Sequence, residues 1–172
     1  MKIFDARQIA INKIKETNLD ISVVNIILEE ALGLSHQEIL IKNIQNLEPI
    51  QESRFFFLLS EYLKKEKPLQ YILGYTYFYG RKFIVNKNVL IPRFETEELV
   101  YNALQIIRKN NYKDIVDIGS GSGNICVTID KEIEGLKIYG LDISLDALEV
   151  AKKNAKELNS NVNFYKSDLL SF

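Results

Sequence analysis

Residues 115–130 read IVDIGSGSGNICVTID. An apolar run, Ile115-Val116-Asp117-Ile118, leads into Gly119, Gly121 and Gly123, and a helical pattern resumes from Asn124. The order is that of a strand, a glycine turn and a helix N-terminus. Glycine takes positive φ freely and lets a ligand come close where a Cβ would stand in the way. A helix N-terminus carries unpaired N–H groups and a partial positive charge. Together these make a seat for a polar or anionic part of a nucleotide-like ligand.

The spacing narrows the choice. It is G-x-G-x-G, with Asn124 where a dinucleotide fingerprint has its last glycine, and no G-K-[ST] follows, which rules out the phosphate-cradling P-loop. Asp117 lies inside the strand, two residues before the first glycine. The next strand, residues 137–141, is followed by Asp142. An acid at the end of a second strand accepts hydrogen bonds from a ribose diol. D-x-G-x-G-x-G with that second acid resembles the cofactor site of class I S-adenosylmethionine methyltransferases. A NAD(P) site and a purely structural turn are the competing readings.

The length of 172 residues allows one domain or two small ones, and 47% hydrophobic residues suffice for a buried core. A net charge of −1 gives no global pull toward nucleic acid or an anionic membrane. The single cysteine, Cys126, excludes an internal disulfide and suits a reducing cytosol. On the helix after the turn it reads as a buried small hydrophobe. The one histidine, His36, lacks companions for a metal site and reads as a surface helix residue. No signal peptide and no apolar run of spanning length is seen, so a cytoplasmic location is expected.

Residues 1–73 read as helices. Ile3, Ile9 and Ile14 recur at loosely helical spacing. Asp20 or Ser22 is expected to cap a second helix ending near Gly33. Ser35-x-x-Glu38 is a capping-box pattern that opens a third. Pro49 suits the first turn of a fourth, which carries Phe55, Phe56, Phe57, Leu58, Leu59 and Tyr62 as expected bundle core. Pro68 breaks the pattern. Aromatic and β-branched residues then flank Gly80-Arg81, which suggests a β-hairpin over residues 74–88. Packing is favoured over base stacking for its tyrosines, because few basic residues are interleaved. Pro92 enforces an extended segment before it, and Thr96 or Glu95 is expected to cap a helix running to about Asn111. A further helix is expected from an N-cap at Ser144 to about Leu158, with Leu145, Leu148, Ala151 and Ala155 on its apolar side. A third strand is expected over residues 161–165, followed by a loop, Ser167-Asp168-Leu169-Leu170.

Three linked motifs, L-I-P-R-F-E-T-E-E-L-V, D-I-G-S-G-S-G-N-I and G-L-D-I-S-L-D-A-L-E-V-A-K-K-N-A, resemble the HemK family of protein-(glutamine-N5) methyltransferases, which act on peptide chain release factors. Phe94 stands where the family usually has a second proline. The resemblance covers the whole chain and implies an α/β protein. Residues 1–73 would be a helical bundle that recognises the release factor and residues 74–88 a β-hairpin connector. Residues 89–172 would be the first half of a Rossmann-like methyltransferase domain. It implies S-adenosylmethionine as cofactor, with contacts from Asp117, Gly119, Ser120, Gly121, Ser122, Gly123, Asp142 and Ile143. Asp168 and Leu169 would lie against the adenine, although a turn-capping role for Asp168 is a standing alternative. Leu90, Pro92, Arg93, Glu95 and Thr96 resemble the segment that walls the site. A binding module without catalysis and a nucleic-acid amino-methyltransferase of the same fold are the rival functions, the latter disfavoured by the near-neutral charge.

The family's catalytic Asn-Pro-Pro-Tyr, which ends its fourth strand, occurs nowhere in these 172 residues, so no catalytic residue is assigned here. The expectation is a fragment of a longer protein or a truncated reading frame. The expected strand order is 3-2-1 and then 4, which leaves residues 115–118 as an apolar sheet edge, an association hazard. The isolated chain is therefore expected to aggregate, or to melt with weak cooperativity in its second half. Scanning calorimetry on a sized sample checks this, and a sharp single transition in a monomer would contradict it.

Overall fold

The structure is a computed structural model that describes residues 1–169. The chain divides into two compact units, Met1–Leu73 and Gly74–Phe172.

The first unit is helical: α1 Ile3–Lys15, α2 Val23–Leu32, α3 His36–Ile41, α4 Pro49–Leu63 and the short α5 Leu69–Leu73. Its core gathers Ile14, Ile27, Leu28, Phe55 and Leu59, all essentially fully buried. On α1 the buried stripe is Ile3, Ala6, Ala10 and Ile14, spaced three, four and four. Ile9 lies beside this stripe and is only half-buried. The capping box at Ser35 and Glu38 forms as expected, and Pro49 opens α4. Ser22 holds the N-cap position of α2 without a side-chain bond. Asp20 instead closes the turn ahead of it, accepting from the Ser22 N–H and hydroxyl. Phe57 does not join the core and is 63% exposed. Three consecutive phenylalanines span 200° of a helix, and one face cannot take them all. Pro68 starts α5, its carbonyl accepting from Tyr71 N–H.

The second unit opens with an antiparallel hairpin of β1 Tyr75–Phe78 and β2 Arg81–Ile84. Tyr79 and Gly80 both have positive φ, 50° and 72°, the two-residue turn that matches strand twist. Phe78 and Phe83 are buried and meet edge to face, with ring centroids 6.1 Å apart. They pack into a core with Val100, Leu104 and Ile107 of α6 Glu95–Asn110, so the hairpin is built into this unit. Neither Glu95 nor Thr96 caps α6. The N-cap is Phe94, with no side-chain bond, and the Arg93 and Phe94 carbonyls take the first amides.

The remaining elements alternate: β3 Asp114–Ile118, α7 Asn124–Glu132, β4 Lys137–Asp142, α8 Leu145–Glu157 and β5 Asn163–Lys166. The strands form a parallel sheet in the order β3-β4-β5. This is the partial Rossmann-like arrangement that the alternation predicts. Within the described residues β3 is an outer edge, and Val116 and Ile118 on it are 44% and 47% exposed. Ser144 caps α8 by accepting from Ala147 N–H at 3.2 Å. Leu145 faces solvent, and the buried face of α8 runs through Ala147, Leu148, Ala151, Asn154 and Ala155.

Phe164 of β5 locks this sheet to the start of α7. A Cβ at Gly140 would lie 2.6 Å from its ring, and a Cβ at Gly123 would lie 3.2 Å from its Cζ. Two glycines thus make room for one ring. Gly140→Ala is expected to cost about 1–3 kcal/mol, the usual penalty of overpacking. Urea unfolding measures this, and a second change, Phe164→Leu, is expected to return part of the loss.

Candidate functional site

The carboxyl end of β4 holds the glycine turn. The Leu141 carbonyl accepts from both Gly119 N–H and Ser120 N–H at 2.8 Å. The Asp142 carboxylate accepts from Gly121 N–H at 2.8 Å through Oδ2, and from Ser144 N–H at 2.9 Å through Oδ1. Three successive amides of the turn are therefore consumed by the protein itself. Gly123 N–H closes the turn onto the Ser120 carbonyl at 2.7 Å. The backbone needs φ of +78° at Gly119 and +77° at Gly123, which explains the glycines there. A Cβ at Gly119 would meet nothing within 4 Å, so the strand end opens into free space.

What the turn leaves for a ligand differs from what the sequence suggests. The N–H groups of Gly119, Ser120 and Gly121 are spent. Those of Asn124 and Ile125 in the first turn of α7 remain, while the Cys126 backbone N–H is given to the Asp117 carboxylate. Two buried side-chain oxygens at the turn have no protein partner, Oδ2 of Asp117 and Oγ of Ser120. Buried polar atoms are nearly always paired, so two at one turn mark a place where something else supplies the bond. Asp142 still has lone pairs beyond its two backbone bonds.

Burial pushes the Asp117 carboxyl above its ordinary value of 3.8, Cys126 opposes this, and the nearby charge of Asp142 adds to it. Burial, and then the charge of Asp117, hold the Cys126 thiol well above its usual range. Cys126 is fully buried, donates weakly to the Gly123 carbonyl at 3.4 Å, and is an inert packing residue as expected.

The structure thus brings together Asp117, Gly119, Ser120, Gly121, Ser122, Gly123 and Asp142. Ile143 follows Asp142 and presents an exposed apolar side chain. Ser167 fastens the end of β5 to the same corner, donating its N–H to the Asp142 carbonyl at 3.0 Å. Its hydroxyl donates to the Leu169 carbonyl at 2.8 Å. Asp168 and Leu169 are exposed in that loop, Leu169 at a φ of 55°, and Leu170 lies outside the described residues. Leu90, Pro92 and Arg93 belong to the extended segment before α6, and Glu95 and Thr96 to its first turn. Leu90, Arg93 and Glu95 are exposed, and Pro92 and Thr96 are half-buried.

Two participants escape the sequence reading. One is the Leu141 carbonyl, a backbone group with no sequence signature. The other is Asn154, whose Nδ2 donates to the Ser122 carbonyl at 2.8 Å. A signal for it existed, because position 154 is seven residues after Ala147, on the apolar stripe of the helix. Among the described residues no cluster of metal ligands occurs, and no helix is long and apolar enough to cross a membrane.

A parallel βαβ sheet with a glycine turn between a strand-borne acid and a second-strand acid defines a partial Rossmann-like methyltransferase domain, and residues 107–172 match a methyltransferase domain model. Residues 5–74 match the PrmC N-terminal domain. The chain is 37% identical to the release factor glutamine methyltransferase of Bacillus cereus over 99% of its own length and 61% of that protein's. It is 37% identical to that of Bacillus subtilis strain 168, covering 98% of this chain and 59% of that one. The chain is homologous to the release factor glutamine methyltransferases over nearly its whole length, and spans about three-fifths of theirs. Among solved structures, the Pyrococcus abyssi tRNA (uracil-54, C5)-methyltransferase in complex with S-adenosyl-L-homocysteine is 19% identical at a TM-score of 0.47, over 55% of this chain and 23% of that one.

Asp117 is costly where it stands. Its carboxyl titrates higher in the folded chain than in the unfolded one, so its contribution is favourable below 3.8 and is lost as the pH rises through the folded value. Asp117→Asn is therefore expected to raise the melting temperature at neutral pH, with the gap closing as the pH falls toward 3.8. Circular dichroism melts across that range check the sign.

Proposed function

We propose that this chain is the donor-binding and partner-recognition part of a release factor glutamine methyltransferase, acting in the cytoplasm with S-adenosylmethionine as methyl donor. The observation that carries this is the glycine turn pinned by Asp142, with buried unpartnered oxygens on Asp117 and Ser120 beside it. Similarity to release factor glutamine methyltransferases over nearly the whole chain supports the substrate class.

The residues fit such a donor. An ammonium group brings hydrogen-bond donors and positive charge to Asp117, whose free oxygen is otherwise an uncompensated cost. The remaining lone pairs of Asp142 suit a ribose diol. Ile143 and Leu169 offer apolar surface of the kind an adenine covers. Bound here, the donor supplies a methyl group activated by a sulfonium centre. The protein's share is orientation. Catalysis of this kind gains most from holding the two reactants in line, and a turn fixed by three strand-end hydrogen bonds is a rigid base for that. The first unit, matching the PrmC N-terminal domain, takes the release factor, and a glutamine side-chain amide is the acceptor.

Calorimetric titration of the 172-residue chain with S-adenosylhomocysteine is expected to show binding, and Asp142→Ala is expected to weaken it by about 1–3 kcal/mol. Part of that loss comes from the freed Gly121 amide. Absence of binding by the unaltered chain would overturn the donor reading. For the longer protein, the check is a mass increase of one methyl group on a release factor glutamine, dependent on the donor.

A further inference from the structure

Asn154 sits on the buried face of α8 and is 1% exposed. Its carboxamide makes three hydrogen bonds to two distant places. Oδ1 accepts from Ile84 N–H at 2.6 Å, and Nδ2 donates to the Ile84 carbonyl at 3.0 Å. The side chain pairs with the last residue of β2 much as a neighbouring strand would. The other Nδ2 proton goes to the Ser122 carbonyl at 2.8 Å. Both donors of the amide are used, in the orientation that satisfies all three partners.

The Ser122 contact bears on the turn. The Ser122 carbonyl and the Gly123 N–H belong to one peptide plane. Asn154 holds its oxygen and the Ser120 carbonyl holds its N–H, at 2.7 Å. That plane is the last before α7 begins, with Gly123 as its N-cap. Its tilt sets where the N–H groups of Asn124 and Ile125 point at the start of α7. An aliphatic side chain of the same size would fill the site without the desolvation cost of an amide. What the amide adds is a fixed geometry between a hairpin and a turn.

We propose that Asn154 is a positioning residue for the donor site, fixing the peptide plane that aims the start of α7 and coupling that turn to the β1–β2 hairpin. The coupling is reciprocal: a ligand that orders the turn orders the hairpin end, and a loosened hairpin weakens the ligand. The part of this that concerns ligand binding rests on the donor reading above.

The test uses the 172-residue chain, its Asn154→Leu variant, which keeps the branched shape and loses all three bonds, and its Asn154→Asp variant, which keeps only the acceptor for Ile84 N–H. S-adenosylhomocysteine affinity is expected to fall about fivefold or more in both, the effect of one lost neutral hydrogen bond at the turn. Amide exchange followed by NMR is expected to quicken at Gly123 in both variants, while the β3–β4 amides keep their rates. In the unaltered chain, adding S-adenosylhomocysteine is expected to slow exchange at Ile84. Affinities within twofold of the parent, or an Ile84 amide indifferent to the ligand, would overturn the proposal. If the parent takes up no ligand, the donor reading falls on its own. The positioning role is then decided by Gly123 exchange, and unchanged rates there would overturn it.

Discussion

The hydrogen bonds from the end of β4 to the glycine turn are the constraint on which this site depends. The Leu141 carbonyl and the Asp142 carboxylate take the amides of Gly119, Ser120 and Gly121 in sequence. These bonds exist only if β3 and β4 pair in the register that sets Asp117 beside Gly140 and Ile118 beside Leu141. A slip of one residue would turn every side chain of β3 to the other face and move Asp117 away from the turn. Gly140 admits the Phe164 ring, Phe164 lies against Gly123, and Ser167 returns to the Asp142 carbonyl. Three parallel strands and two helix starts are thereby locked to one turn. The rigidity comes from backbone groups, which explains why so little of it is written in side chains.

Much of the fold was legible, and the legible parts share a cause. Glycine at positive φ, a Ser-x-x-Glu capping box, a proline at a helix start and a serine before an amphipathic helix are local devices. Their physics is complete within about four residues. Residues 119–123, Ser35 with Glu38, Pro49 and Ser144 accordingly form what their neighbours dictate. The failures are also of one kind. Asp20 lies two residues too early to cap α2. α6 begins with backbone carbonyls, because the extended segment set by Pro92 already delivers the chain to it. Composition points Phe57 inward, yet the helical period turns it outward, and Leu145, on the apolar side by spacing, is exposed as the first residue of α8. Asn154 reads locally as one polar residue among lysines, while its partners lie 32 and 70 residues away.

The hairpin illustrates how a segment's role depends on where its side chains go. Its exposed Tyr77 and the Lys82 ammonium, 3.6 Å over the Tyr75 ring, mark one face as solvated. The other face sends Phe78 and Phe83 into the core beneath α6. Glu97 of α6 accepts from Tyr79 N–H at 2.7 Å, and Arg81 pairs with Glu132 of α7 at 2.6 Å. Half-buried pairs of this kind contribute little net stability but fix orientation. The hairpin is thus held at its turn by α6 and α7, and at the end of β2 by Asn154.

The two carboxylates of the site divide the work by environment rather than by sequence. Asp142 spends its oxygens on backbone amides, stays half-exposed and shapes the turn. Asp117 has an oxygen buried without a partner, and burial raises its affinity for a proton. A structure selected only for stability would carry an amide or an aliphatic residue there. The unspent acceptor lies two residues before the first glycine, at the open end of β3, where a ligand with a hydrogen-bond donor can reach it. Thr128 Oγ1 and Ser160 Oγ are also buried without a partner in this unit, but two uncompensated oxygens at one open turn, one of them a carboxylate's, are the physical mark of a binding site. It is carried by Asp117 and Ser120, more than by the glycines that first draw attention to the stretch.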